Sequence, residues 1–441
     1  MIFLAGPAAW TQAVNPSNNR ISEAGRERAL TNAMIPNRTR GSLTGTGASQ
    51  AREMTPASDY HFRVGEIRFL LIPEFEVEYN SNVNFSTINP VADLILRPRL
   101  TLNLDWLVTR KNRLALNVGL EYEKYLRNVD RDYNGLRLRP DTVLSYSVYT
   151  GDFVITAYTR PSIEQDPGGD PTLVNTAPYQ RFMNSAGLSV VWDLNKVILS
   201  AVGERQDVRS LNGNFSGLNS ATYLAQLSSM VLFTPTFSAG PFALVSQTDY
   251  EEATLNDYTQ FQFGLSANHV LSPYTTLNAS GGLQVMEFQD TGNQQPGLTT
   301  DSDGLVDNVT GTAGGGNFVG PFFSVGINNR LNRHFTQQFG VWLQPQASSV
   351  SNYTQVFAVS YDLEWRMNRL TRAWLGLRYD NGRVSGDSPS YQRTEIKAGL
   401  EGPLTPSIKW RMQIGYRFEA QTAGAGNIAQ TRCVVGLSYD F

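Results

Sequence analysis

The residues best placed to do chemistry are charged side chains that recur at every second position. Glu74, Glu76 and Glu78 form one row, Arg97, Arg99 and Asp105 a second, Glu395, Lys397 and Glu401 a third, and Lys409, Arg411, Arg417 and Glu419 a fourth. Side chains two apart share one face of a β-strand, which a helix of period 3.6 does not allow. Each row therefore predicts a strand with one charged face, and the intervening positions are apolar: Leu96, Pro98 and Leu100 in one case, Met412, Ile414, Tyr416 and Phe418 in another. Rows of opposite sign on neighbouring strands can pair across the wall they share, contributing about 0.2–1 kcal/mol per pair. They can also set up a transverse field that orients a polar solute in a constriction. Both uses stay open at this level. Apart from Lys111, Lys124, Lys196, Lys397 and Lys409 the cations are Arg, and a planar guanidinium suits fixed arrays and bidentate anion contacts.

Two other groupings could carry chemistry. Asp301, Asp303 and Asp307 surround a Gly turn in the 290–317 loop and resemble short Asp-rich calcium loops of extracellular proteins. Calcium takes six to eight oxygens, and three carboxylates with backbone carbonyls supply most of them. The terminal Glu of a full EF-hand loop is missing, so a calcium site and a solvated acidic loop remain alternatives. Catalysis has little to work with. His61, His269 and His334 are the three histidines, and no Ser/His/Asp grouping, phosphate loop or His-Glu-x-x-His run accompanies them. No enzyme activity and no other cofactor is expected. The lone Cys433 can form neither an internal disulfide nor a cysteine-based metal site.

The elements that must position the charged rows repeat along the chain. From about residue 63 an alternating run of a dozen residues or more is followed by a short turn, another such run, and a longer polar loop. Tight turns on one side and long loops on the other are the pattern of an antiparallel up-and-down transmembrane β-barrel. The spacing predicts about eighteen strands: 66–80, 92–108, 113–127, 136–149, 152–165, 180–193, 196–208, 220–233, 236–251, 257–271, 274–289, 316–331, 334–349, 353–367, 371–384, 391–402, 407–420 and 427–441. Merging two strands near 196–233 gives sixteen as the alternative. Aromatics gather at the short-turn ends, with Trp106, Trp192, Phe233, Tyr274, Trp365 and Phe441 as the core of an expected girdle. A second set, including Tyr79, Tyr122, Tyr125, Tyr258 and Phe418, lies toward the long loops, as interfacial belts require.

Composition agrees. No stretch after the first dozen residues approaches the roughly 20 consecutive apolar residues of a membrane helix. With 17% charged residues the chain falls below the roughly 25% of a typical soluble domain, as it must if every second strand residue faces lipid. A net charge of −3 leaves no basic field for nucleic acid. Residues 1–13 read as the apolar part of a secretory signal lacking its basic start. Residues 14–62 read as a polar periplasmic extension too poor in apolar residues to fold alone. Residues 63–441 form the barrel.

The last residues alternate Cys433, Val435, Leu437, Tyr439 and Phe441 with Arg432, Val434, Gly436, Ser438 and Asp440. This resembles the C-terminal strand of bacterial outer-membrane barrels, which the assembly machinery of that membrane recognises. The segments Pro73-Glu74-Phe75-Glu76-Val77-Glu78-Tyr79-Asn80-Ser81-Asn82-Val83 and Leu96-Arg97-Pro98-Arg99-Leu100-Thr101-Leu102 resemble the opening of the β-barrel porin 2 group, outer-membrane barrels related to exopolysaccharide-locus proteins. The resemblance implies an outer-membrane channel in a Gram-negative-type bacterium. Its expected role is that of a porin for small polar solutes embedded in outer-membrane lipid, a homotrimer by analogy with general porins. A polysaccharide export channel and a structural or surface-lattice barrel binding partners through loops and N-terminal extension are the alternatives. A soluble β-propeller fits worst, because it predicts neither alternating turn lengths nor an aromatic C-terminal strand.

Overall fold

The computed structural model describes residues 60–127, 134–164, 180–211, 213–252, 255–289, 297–300, 306–310, 316–348, 351–368, 370–386, 390–421 and 426–439. Residues 1–13, nearly all of the 14–62 extension, Asp301, Asp303 and Phe441 lie outside them. The strands are β1 (Phe62–Val64), β2 (Ile67–Asn80), β3 (Asp93–Thr109), β4 (Asn112–Tyr125), β5 (Gly135–Leu138), β6 (Val143–Thr150), β7 (Phe153–Glu164), β8 (Arg181–Asp193), β9 (Val197–Ser210), β10 (Ser220–Thr234), β11 (Phe237–Tyr250), β12 (Tyr258–Ser272), β13 (Thr275–Phe288), β14 (Gly297–Thr300), β15 (Val306–Thr310), β16 (Phe318–Arg330), β17 (Phe335–Ala347), β18 (Tyr353–Arg366), β19 (Arg372–Val384), β20 (Tyr391–Pro403), β21 (Ile408–Gln421) and β22 (Asn427–Tyr439).

Among the described residues eighteen of these close one antiparallel barrel: β2–β4, β6–β13 and β16–β22. Each pairs with its successor, and β22 returns to β2 through Glu74↔Ser438 to Asn80↔Arg432. The expected strands reappear within a few residues. The sixteen-strand alternative is excluded by β9 and β10, which run side by side from Ser220↔Val208 to Val231↔Val197. Short turns gather at one end, where Gly151 and Asn195 adopt φ of 58° and 68°, the left-handed region that a tight turn needs and that Gly and Asn tolerate best.

Two features were not expected. Arg139-Pro140-Asp141-Thr142 interrupts the fourth wall strand, so that β4 pairs with β5 up to Leu120↔Leu138 and with β6 from Asn117↔Val143. Pro140 has no N–H to give a ladder, and four residues oppose the two between Asn117 and Leu120. Inside the longest loop β14 and β15 form a separate hairpin, and β15 lies against two short 3-10 turns within Gly213–Leu218, kinked at Phe215, between β9 and β10.

The two faces of the wall separate cleanly. Phe75, Tyr79, Leu100, Tyr122, Phe261, Phe263, Leu265, Met412, Ile414, Tyr416 and Phe418 are exposed on the outside, while Glu76, Glu78, Arg97, Arg99 and Asp105 are buried on the inside. At the short-turn rim Trp106, Trp192, Phe233, Tyr274 and Trp365 are exposed. Phe153 stacks on Trp192 at 5.0 Å and Phe335 on Trp365 at 5.7 Å. Tyr125 and Tyr258 depart from the expected outer belt. Tyr125 packs inward on Val83 and Ile95, and Tyr258 on the Met286 cluster, because both follow the inward parity of their strands.

Candidate functional site in the barrel lumen

One sector of the inner wall is a ladder of charges in which Glu-bearing strands are flanked by Arg-bearing ones. Around the barrel run Arg411 on β21, Arg432 on β22, Glu76 and Glu78 on β2, Arg97 and Arg99 on β3, Glu121 and Glu123 on β4, and Arg137 on β5. Register brings them together, with Glu76 opposite Arg97, Glu74 opposite Arg99, and Arg99 opposite Glu121. Glu78 takes Arg97 from one side and Arg432, at 2.8 Å, from the other. Glu76 takes both Arg99 and Arg411. Arg97 reaches on to Glu123 at 2.8 Å, and Glu123 lies 3.5 Å from Arg137. Almost every carboxylate has two guanidinium partners, which is what burial demands, since a buried charge left single costs about 3–5 kcal/mol. The same placement keeps the charges out of lipid, where an Arg or Lys at mid-depth costs about 2–4 kcal/mol.

Of the residues singled out from sequence, Glu76, Glu78, Arg97, Arg99, Glu395, Lys397 and Arg417 line one cavity of about 20 Å3 together with Arg432, room for roughly one water. Lys397 bonds Glu395 at 2.9 Å and Arg417 bonds Glu419 at 2.9 Å. Glu74 sits beside this group, half-buried. Asp105 lies apart, toward the short turns, bonded to Arg113, and Lys409 is exposed near the same end. Sequence reasoning missed Glu121, Glu123, Arg137 and Arg432, and also the Arg378–Asp380–Arg393 group, at 2.8 and 2.7 Å. The signal was present, since Glu121 and Glu123, like Arg137 and Arg139, repeat at two.

Two inward folds cover the charged sector. Residues 81–92, the first long loop, turn into the barrel. Val83 packs on Ile95 and Tyr125, and the buried Phe85 ring lies under the Arg417 guanidinium, 5.1 Å from its Cζ. Asn82 Nδ2 donates to the Ser86 carbonyl at 2.9 Å, Asn82 Oδ1 accepts the Ser86 N–H at 3.0 Å, and Gln430 Nε2 donates to the Asn82 carbonyl at 2.7 Å. Phe85 takes φ 46°, unusual for an aromatic residue. The second cover is the 139–142 break. Arg139 N–H donates to the Gly119 carbonyl at 2.8 Å and Asn117 Nδ2 to the Asp141 carbonyl at 2.6 Å. A Cβ on Gly119 would stand 2.6 Å from Asp141 Oδ1 and 2.9 Å from Arg139 Cβ, so a larger residue here must displace the break. Among the described residues the first loop turns inward over this sector, held by Tyr125, Arg417 and Gln430.

Past a smaller charged group on β7 to β9, where Arg160 bonds Glu204 at 2.7 Å and Arg181 bonds Glu164 at 3.2 Å, the inner wall from β10 to β17 is largely neutral. Ser, Thr and Gln side chains such as Thr156, Ser185, Gln226, Gln262 and Gln284 face inward. Between them stands an apolar patch of Phe242, Leu244, Met286, Phe318, Phe322 and Val356, all buried. An interior that is dry on one side was not foreseen, although β11 and β16 are apolar on both faces in sequence.

Among the described residues no group of three His, Cys, Asp or Glu is arranged to hold a metal. The calcium reading of the 301–307 segment falls outside them: Asp301 and Asp303 are not described, and of Asp307 only its backbone, in β15.

No family model matches the chain, and no curated protein matches it. Solved structures with some likeness include OpdK of Pseudomonas aeruginosa, in a crystal structure with vanillate, at 11% identity over 85% of this chain and 99% of that one, with a TM-score of 0.46. OccAB3 of Acinetobacter baumannii is 10% identical over 86% of this chain and 100% of that one, also at 0.46. The siderophore receptor PirA of Pseudomonas aeruginosa is 10% identical over 84% and 80%, at 0.41. The fold assignment stands on the strand pairing itself.

Proposed function

We propose that this chain is an outer-membrane porin of a Gram-negative-type bacterium, a channel for small polar solutes narrowed by a charged constriction. The observation that carries the reading is the closed barrel that turns an apolar, aromatic-rimmed face outward and a ladder of paired Arg and Glu inward. Only a closed strand array satisfies its backbone in lipid, and eighteen strands enclose a bore too wide for wall side chains alone to fill. A charged wall facing a largely neutral one makes the constriction asymmetric, which favours strongly polar solutes on the charged side. Membership of the β-barrel porin 2 group, trimeric assembly and recognition of β22 by the assembly machinery belong to the same proposal.

The test is planar-bilayer conductance of the purified protein. Discrete channel steps are expected, and larger ones when residues 82–91 are replaced by a short Gly-Ser link. Silence in both forms would sink the channel reading. A second reading, a structural barrel acting through its loops, is favoured by the burial and mutual pairing of the charged wall. It predicts that silence.

A further inference from the structure

One edge of β2 is shared by two strands. β22 takes its upper part, from Asn80↔Arg432 to Glu74↔Ser438, and β1 its lower part, from Phe62↔Phe69 to Val64↔Ile67. β3 holds the other edge along the whole strand. Both β1 and β22 are antiparallel to β2, so they run in one direction, end to end, with residues 70–73 of β2 between them. A side chain closes that interval: Leu71 N–H donates to His61 Nδ1 at 3.2 Å, beside the His61 N–H that donates to the Phe69 carbonyl at 2.8 Å. Pro73 has no N–H to satisfy. Above His61 the edge belongs to β22, which runs on beside β21 to Tyr439. The chain before His61 therefore has no room to continue in the sheet and leaves it, either into lipid or into the lumen.

Tyr60 shows which way it goes. Its parity in the sheet is that of Phe62, which is exposed on the outside and stacks on Phe69 at 5.0 Å. The Tyr60 ring lies instead against Arg68, 5.0 Å from its Cζ. Arg68 belongs to the inner face, opposite the buried Asp105. The chain has thus turned to the lumen side by residue 60, and the segment that precedes it suits that side. Residues 14–59 carry six Arg, three Glu, one Asp and no aromatic residue, and an Arg at mid-depth in lipid costs about 2–4 kcal/mol. The bore offers a matching surface. Gly240, Ser266, Ser280 and Ser324 stand in one row of the inner wall, with Gly326 and Gly340 side by side toward the short turns. A Cβ on Gly326 would meet nothing nearer than 4.0 Å, so the wall there is flat and open to the lumen. Ser hydroxyls both donate and accept, which is what a polar segment laid against a wall requires.

We propose that residues 14–59 of this chain enter the bore at the joint of β1 and β22 and lie in the lumen along the Gly and Ser wall of β11–β17. Eighteen strands enclose more space than their own side chains fill, and this segment brings polar backbone and charge to the side of the wall that tolerates them. The first long loop and the 139–142 break cover the charged sector, so the neutral wall opposite is the surface left for it. The proposal goes beyond the channel reading and stands without it, since a barrel that passes no solute would be filled in the same way.

The experiment uses the full chain, folded in detergent and recognised by heat-modifiable gel mobility, with two readouts. The first is trypsin followed by mass spectrometry. Cleavage after Arg20, Arg26, Arg28, Arg38, Arg40 and Arg52 is expected to be slower by an order of magnitude or more than in the same chain unfolded in urea, because a protease needs local opening of a protected segment. Cleavage at these sites as fast as in urea, with the barrel still folded, overturns the proposal. The second readout places p-benzoylphenylalanine at Gln50 and locates its photo-cross-links residue by residue. Cross-links to the inner wall at residues such as Ser266, Ser280 or Ser324 are expected. If none falls on the inner wall, or all fall on outward residues such as Phe263 and Leu265, the proposal fails even where trypsin is slow, since a segment protected outside the bore would resist trypsin as well.

Discussion

At the scale of single residues, the charged wall behaves as a network in which each member has two jobs. Arg97 holds Glu78 and Glu123 at once, so its loss takes one of two guanidinium partners from each of two buried carboxylates. Arg97→Gln is expected to destabilise the barrel by about 1.5–3 kcal/mol, the cost of losing hydrogen bonds to charged groups that each keep a second partner. Lys409→Gln at the exposed rim should cost about 0.5 kcal/mol or less. Urea unfolding of the two variants in the same detergent measures the difference, and equal effects would contradict the network. Reading the rows from sequence worked for Glu76, Arg99 and Arg411 because period two fixes which face a residue takes. It could not rank them: Asp105 and Lys409 share that face with Arg97, but their height in the wall keeps them out of the cluster.

At the scale of elements, the constriction is made by two short segments that leave the strand pattern. Residues 81–92 are anchored by Asn and Gln side chains and carry a buried Phe85. The 139–142 break depends on the bare Cα of Gly119. Gly119→Val places side-chain atoms where Asp141 now lies and should cost about 1–3 kcal/mol as overpacking. Displacement of the break should also raise single-channel conductance, which planar-bilayer recording measures; an unchanged conductance with intact stability would show that the break does not narrow the path. Strand existence and turn placement were legible from alternation alone. The break was flagged only by Pro140, and nothing local in 81–92 says that the loop turns inward, since its partners Tyr125, Arg417 and Gln430 are remote in sequence.

At the scale of the whole molecule, stability depends on closure. The β2–β22 joint is seven residue pairs long, shorter than most others, and is reinforced by Arg432 on Glu78 and by Gln430 on Asn80. An open sheet of this size would leave unpaired backbone groups in lipid, each costing several kcal/mol. Removing residues 432–441 should therefore abolish the compact, heat-modifiable form on gels entirely. A truncated chain that still ran as a folded barrel would show that the joint is dispensable.

The sequence by itself determined the period of two, the alternation of short and long connections and the sign of each charged row, because these follow from side-chain geometry within one strand. It thereby settled that the chain makes a barrel with lipid outside. Only the tertiary structure decided which rows meet and which loop covers the charged wall. It also decided that one side of the interior is dry and that β1 and β22 share one edge of β2. Each of these depends on curvature and register between strands far apart in the chain, and no local pattern carries that information.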